Sequence, residues 1–276
     1  MDVRYLPSPA HFKTMTTPEI KESFQVQSLF MPGEIKLVYS HADRMIIGGV
    51  MPTTQELHLQ AGKELAADYF AERREVGVFN CGGPGTVQVD DQSFATGNCE
   101  VVYIGRGSRE IAFSSDDAAN PASFLLISLP AHTTYPTTHV TKAQANQVAL
   151  GSVEKSNKRV IYQYIHEGGV KSCQLVMGFT ELDTGCVWNT MPPHTHDRRC
   201  EVYLYFNLAD DNIVFHFMGE GNETRHLVMR NHEAVISPSW SIHAGAGTEN
   251  YCFVWAMGGE NQSFNDMDAV PLTDLA

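Results

Sequence analysis

The chain has 276 residues, 43% of them hydrophobic and 18% charged, which is the make-up of a folded protein with a large core and excludes a disordered one. Its formal charge of −13 opposes binding to nucleic acid or to an anionic membrane, because the overall field repels polyanions. A small anionic ligand stays open, since local arginines override that field inside a cleft.

Residues 1–28 read as a short helical arm lying on the surface. Thr17-Pro18-Glu19 offers a helix start, with Thr17 at the cap and Pro18 in the first turn. The leading MDVRYLPSPAHFKTM has no apolar run of the kind a secretory leader carries. From Ser28 the texture changes to short strands. SLFMPGEIKLVYS and DRMIIGGVMP are parted by Ser40-His41-Ala42-Asp43, and a dense β series follows from Glu75. Gly82-Gly83-Pro84-Gly85 and Asp90-Asp91 are turns; no helix pattern follows the glycines, so they are not a phosphate loop. ASFLLISLPA closes this half. Residues 131–160 are transitional, with a short helix expected after a Thr141 cap.

From Lys158 strands resume as RVIYQYIH, SCQLVMGFTEL, EVYLYFN, NIVFHFMG, ETRHLVMR, EAVISP and NYCFVWAMGG. Many short strands with few helices predict an all-β chain, a sandwich or barrel of the jelly-roll kind. The expected organisation is an arm at 1–28, a first half at 29–140 and a second at 141–276. Six cysteines, at 81, 99, 173, 186, 200 and 252, form no CxxC pair. They read as buried free thiols in a reducing compartment, and no apolar run approaches a membrane span, so the expected location is the cytoplasm.

A weak internal repeat relates the halves. AERREVGVFN (71–80) resembles HDRRCEVYLYFN (196–207) with one insertion, which matches Glu75 to Glu201. The first copy has no His-x-His upstream, so it is expected to keep the scaffold and lack metal ligands.

The chemistry concentrates in Trp188–Asn207. His194 and His196, two apart, share one side of an extended strand. Glu201 stands five positions later, the wrong parity for one unbroken strand, and Asp197-Arg198-Arg199 offers a turn that restores the facing. His243, from a distant strand, completes a three-His, one-carboxylate set. A lone His-x-His is commonplace; with Glu201 and a late Pro-preceded histidine it points to a divalent metal, zinc first. Arg198 and Arg199 are either a solvated turn or a carboxylate clamp, and alternation lets only one face inward. Tyr203 and Tyr205 share the parity of Glu201 and either face the site or pack the core. His41 and His132 either line a cleft or brace loops. His216 and His226 read as structural histidines, and Trp240 as wall.

His194-Thr195-His196, Glu201 and the run Pro238 to His243 resemble the two metal motifs of the cupin superfamily. Over nearly the whole chain, YSHADRMIIGG, FAERREVGV, AHTTYPT, WNTMPPHTHDRR, ETRHLVM and ISPSWSIHAG resemble the 5-keto-4-deoxyuronate isomerases, the 4-deoxy-L-threo-5-hexosulose-uronate ketol-isomerase family. The resemblance implies a bicupin with one zinc, or another divalent metal, per subunit on the residues matching His194, His196, Glu201 and His243. It implies a homo-oligomer such as a hexamer, and aldose–ketose isomerisation of a sugar acid in pectin breakdown. The related 5-deoxyglucuronate isomerases share the fold and ligand pattern, but the longer motifs fit the pectin branch better. Cys200 is a local departure with no ligand role indicated. The general base is open; His41, Arg198, Arg199 and Tyr203 are the catalytic candidates. A sugar-binding cupin without turnover and an iron oxygenase on the same quartet are the alternatives from other classes.

Overall fold

A computed structural model describes all residues, 1–276, and the chain divides into two compact units. The first comprises Met1–Arg4, Ser28–Ala145 and Tyr164–Val176; the second comprises Tyr5–Gln27, Asn146–Gln163 and Met177–Ala276. The arm is therefore split between them, and a stretch of the later sequence belongs to the first unit.

Each unit pairs a seven-stranded sheet with a four-stranded one, open at their edges rather than closed into a barrel. In the first unit the large sheet runs Asp2–Arg4, Glu34–Ser40, Ile46–Met51, Phe124–Pro130, Arg74–Asn80, Val101–Ile104, Thr138–Val140. The small sheet runs Leu57–His58, Ile111–Ser115, Gly85–Val89, Gln92–Thr96. Alternating Val76, Val78, Val102 and Leu126 meet Val87, Val89, Ile111 and Phe113 in the core between the sheets. The second unit repeats the plan. Its large sheet runs Asn146–Leu150, Arg159–Ile165, Val176–Leu182, Cys252–Gly259, Arg199–Phe206, Ala234–Ser237, Gln25–Val26. Its small sheet runs Trp188–Asn189, Ile242–Gly247, Val214–Glu220, Glu223–Met229.

The arm docks on the second unit through an amphipathic helix, Thr17–Phe24, that buries Ile20 and Phe24. Its cap is Thr16, one residue earlier than the sequence suggested, because the Glu19 carboxylate reaches back to accept from the Thr16 N–H at 2.7 Å. Phe12, Phe24 and Trp240 meet edge to face, with centroids 5.3–6.2 Å apart. Gln25 and Val26 then pair with Val235 and Ala234, and the Gln25 amide donates to Glu233 at 2.8 Å.

Strand Arg74–Asn80 holds the sheet position that Arg199–Phe206 holds in the second unit, so the repeat seen in the sequence is a repeat of structure. Glu75 faces Leu129 across the ladder as Glu201 faces Met257. The Glu75 carboxylate is fully buried. It accepts from the N–H groups of Cys173, Gln174 and Leu175 at 2.6–2.9 Å and from the Tyr103 hydroxyl at 2.8 Å. The counterpart of a candidate metal ligand is thus spent on holding the 164–176 segment in the first unit. Glu75→Ala strands three amides, two of them buried, and is expected to lower unfolding free energy by about 3 kcal/mol or more, with Glu75→Gln intermediate. Urea denaturation reads the loss, and bound metal measured on the folded fraction should not change.

Candidate metal centre

The stretch that carries the histidines is not one strand. His194–Thr195 pairs with Asp268–Ala269 in a separate two-stranded ribbon. The chain then turns, with the Arg199 N–H donating to the His196 carbonyl at 3.1 Å, before the strand Arg199–Phe206 begins. The break corrects the parity and lets Glu201 face the same point as the two imidazoles. His243 comes from the strand Ile242–Gly247 of the small sheet, opposite Met218. Glu201 and His243 therefore reach one point from the two sheets of the second unit.

There the His194 and His196 Nε2 atoms are 3.2 Å apart, and those of His243 and His194 3.0 Å. Glu201 Oε2 lies 3.0 Å from His196 Nε2 and 2.8 Å from His243 Nε2. One donor atom from each of the four lies within 4.8 Å of every other. His196, Glu201 and His243 are buried, while His194 is half-buried.

The protonation pattern suits a cation. His196 Nδ1 is 2.8 Å from the Asp266 carbonyl. A carbonyl only accepts, so Nδ1 carries a proton and Nε2 is the nitrogen turned to the centre. Burial, then the charge of His243, pushes His194 down to about 2, so it stays neutral across the ordinary pH range. Burial alone would raise the Glu201 carboxyl, but His243 and the hydrogen bonds of His196 and His243 hold it below the usual carboxylate range. Nitrogen lone pairs converging with a carboxylate repel one another unless protons or a cation intervene. Three imidazoles and one carboxylate are a fitting donor set for a transition metal, and the group could hold a metal ion.

The centre opens on a cavity of about 440 Å³ within the second unit. Phe253, Trp255, Met257 and Phe264 form apolar walls; Asn189, Thr190, Tyr203 and Arg159 add polar groups. Tyr203 is buried, its ring centroid 5.4 Å from that of His243 and its hydroxyl bonded to Thr190. Burial, then the nearby Glu201 charge, raises its hydroxyl well above the ordinary phenol range, so it keeps its proton.

Of the other catalytic candidates, none lines this cavity. His41 is exposed on the first unit. Arg198 Nε donates to both oxygens of Asp266 at 2.7 and 2.8 Å, and its Nη2 to Asp268 at 2.8 Å. Arg199 is buried and donates to the carbonyls of Asn261, Ser263, Phe264 and Asp266 at 2.7–3.3 Å. Both arginines hold the 261–268 segment whose Asp266 carbonyl orients His196. Tyr205 faces inward but bonds His216 Nδ1 at 2.8 Å. The sequence reading passed over Arg159, although a charge in parity with the cavity-lining Ile161 on an apolar strand was the available signal.

Residues 24–271 match the KduI/IolB family. The chain is 54% identical over 275 residues to a 4-deoxy-L-threo-5-hexosulose-uronate ketol-isomerase of Lachnoclostridium phytofermentans, with all of both chains covered. A protein of the same name from Caldicellulosiruptor bescii is 50% identical, again with all of both chains covered. Among solved structures, an IolB-like protein from Salmonella typhimurium superimposes with a TM-score of 0.67 at 12% identity, covering 82% of this chain and 87% of the other. An oxalate decarboxylase from Lactobacillus farciminis, a formate complex, gives a TM-score of 0.56 at 10% identity, covering 83% and 79%. These two likenesses are of fold alone.

The buried His216 sets a pH dependence. Burial, then His243, pushes it down to about 3, against 6.5 in the unfolded chain. Between those values the unfolded chain binds a proton that the folded one refuses, so stability falls as pH drops from 6.5 toward 3. Replacing the ring by an amide, His216→Gln, should flatten the slope by about 1.4 kcal/mol per pH unit in that window, one proton's worth. Urea denaturation from pH 7 to pH 4 measures it; parallel slopes would contradict the assignment.

Proposed function

This chain belongs to the KduI/IolB family, and we propose that it is the ketol-isomerase acting on 4-deoxy-L-threo-5-hexosulose uronate, also called 5-dehydro-4-deoxy-D-glucuronate. The product is 3-deoxy-D-glycero-2,5-hexodiulosonate, and the step belongs to the breakdown of pectin-derived unsaturated uronates. The observation that carries the reading is 54% identity, across the full length of both chains, to a ketol-isomerase of that substrate.

The reaction balances within one molecule. The C1 aldehyde becomes a hydroxymethyl group as the C2 alcohol becomes a ketone. One proton passes from C2 to C1 and one from the C2 oxygen to the C1 oxygen, with no external electron carrier. A site for this chemistry must polarise the carbonyl, hold the two carbons and keep water out.

In our reading His194, His196, Glu201 and His243 hold one zinc ion per subunit; their donor set suits zinc and tolerates other divalent ions. A bound ion supplies Lewis acidity toward the substrate's oxygens. The apolar walls at Phe253, Trp255 and Phe264 exclude water. Tyr203 offers the cavity a hydroxyl that stays protonated and is our candidate for donating a hydrogen bond to a substrate oxygen. Arg199 positions His196 through the Asp266 carbonyl. The first unit serves as a ligand-free scaffold. A cytoplasmic setting fits the six buried free thiols, and no helix is long and apolar enough to cross a membrane. Assembly as a homo-oligomer such as a hexamer belongs to the same reading.

The test is to mix the protein with 4-deoxy-L-threo-5-hexosulose uronate and follow carbonyl migration by NMR, with and without a chelator. A new C1 hydroxymethyl signal that chelation suppresses is the expected result. Saturable binding without that signal would leave a sugar-binding cupin, oxygen uptake would indicate an oxygenase, and turnover of 5-deoxyglucuronate instead would move the chain to the 5-deoxyglucuronate isomerases. His243→Ala and Glu201→Gln should lose metal and lower turnover together, by about a thousandfold or more. Full activity in either variant without metal would rule out the Lewis-acid role.

A further inference from the structure

We infer that Arg159 holds the substrate's carboxylate in the cavity and makes the site select sugar acids over neutral sugars; the inference rests on the isomerase reading above. Arg159 opens the strand Arg159–Ile165, opposite Leu150. Its side chain lines the same cavity as His194, Glu201 and Tyr203. It is the only lysine or arginine among the lining residues, and the only lining carboxylate is Glu201, which is engaged by the histidines.

A guanidinium has five N–H donors. Here Nη1 donates to the Asn157 carbonyl at 2.8 Å. Nε is buried and has no acceptor. No carboxylate of the protein forms an ion pair with Arg159, whereas Arg198 is bound by two aspartates and Arg199 by four carbonyls. The cavity that Arg159 lines has apolar walls that include Ile161, Phe253, Trp255 and Phe264. Burial there is the main influence on its pKa and lowers it. A cation so placed is costly until an anion joins it, and a planar carboxylate matches its fork with two parallel hydrogen bonds. A cavity with a His/Glu metal-type centre and one unanswered guanidinium calls for a ligand with two polar features: oxygens to meet the centre and an anion to meet the arginine. An open-chain uronate has both, at opposite ends of one chain.

The experiment compares two substrates on the metal-loaded protein. One is 4-deoxy-L-threo-5-hexosulose uronate; the other is its neutral counterpart, with the C6 carboxylate replaced by a hydroxymethyl group. Arg159→Met should raise KM and lower kcat/KM for the acid by about 100-fold or more. It should leave kcat/KM for the neutral compound within about threefold, so that the preference collapses. Arg159→Lys keeps the charge without the fork and should recover part of the loss. Metal content should match the wild type in every variant. Arg159→Gln, which keeps a donor for the Asn157 carbonyl, is judged by the same criterion if Arg159→Met does not fold. An unchanged acid preference, or an equal loss for both substrates, would overturn the inference. If the wild type turned over neither compound, the isomerase reading would fall. NMR binding of the same deoxyuronate would then still decide the arginine's part, equal affinity in wild type and Arg159→Met counting against it.

Discussion

A carboxylate that must stay ionised while shut away from water is the constraint on which the rest of the second unit depends. Desolvating such a group costs several kcal/mol unless donors or cations surround it. Glu201 meets the requirement with imidazoles brought from a ribbon, a turn and the facing sheet. The matching position of the first unit, Glu75, is also a buried carboxyl group that needs polar partners. There the answer is three backbone amides and a tyrosine hydroxyl. One scaffold thus solves one electrostatic problem twice, once with groups that can ligate and once with groups that cannot.

Imidazoles whose lone pairs face one another cannot hold themselves in place. The frame comes from the 261–269 segment. Its Asp266 carbonyl fixes His196, and Asp268–Ala269 pairs with the strand of His194. That segment is in turn fastened by the buried Arg199 and by Arg198. The two arginines after the His pair bond carbonyls and aspartates of that segment, and neither lines the cavity. Orientation of a ligand histidine by a carbonyl is the outer layer that metal centres commonly need.

Local pattern carried much of this. The alternation and turns announced an all-β chain, and the wrong parity of Glu201 announced the turn at 197–199. What stayed hidden depends on distant partners. Thr17 read as the cap, and the bond from the Thr16 N–H to Glu19 moves it one residue earlier. Adjacent arginines gave no sign of aspartates some seventy positions away. The arm read as a helix, but nothing in residues 5–27 names the strand it joins. The departure of 164–176 to the first unit was equally silent, because its amides meet Glu75 about a hundred positions back. Arg159 was overlooked because one charge at a strand's end is ordinary until the strand is known to wall a cavity.

The docking of the arm has a consequence for how the protein is made. Gln25 leaves the ribosome early, yet its hydrogen-bond partner Glu233 follows 208 positions later. At about 5–20 residues per second, the arm waits on the order of 10–40 seconds with Phe12, Ile20 and Phe24 uncovered. During that interval the nascent chain presents an apolar helix and an unpaired strand, the kind of surface that chaperones bind and that another chain of the same kind can capture. The late strand Ala234–Ser237 ends that exposure. Completion of the second unit thus depends on residues 5–27 as well as on a strand made some two hundred positions later.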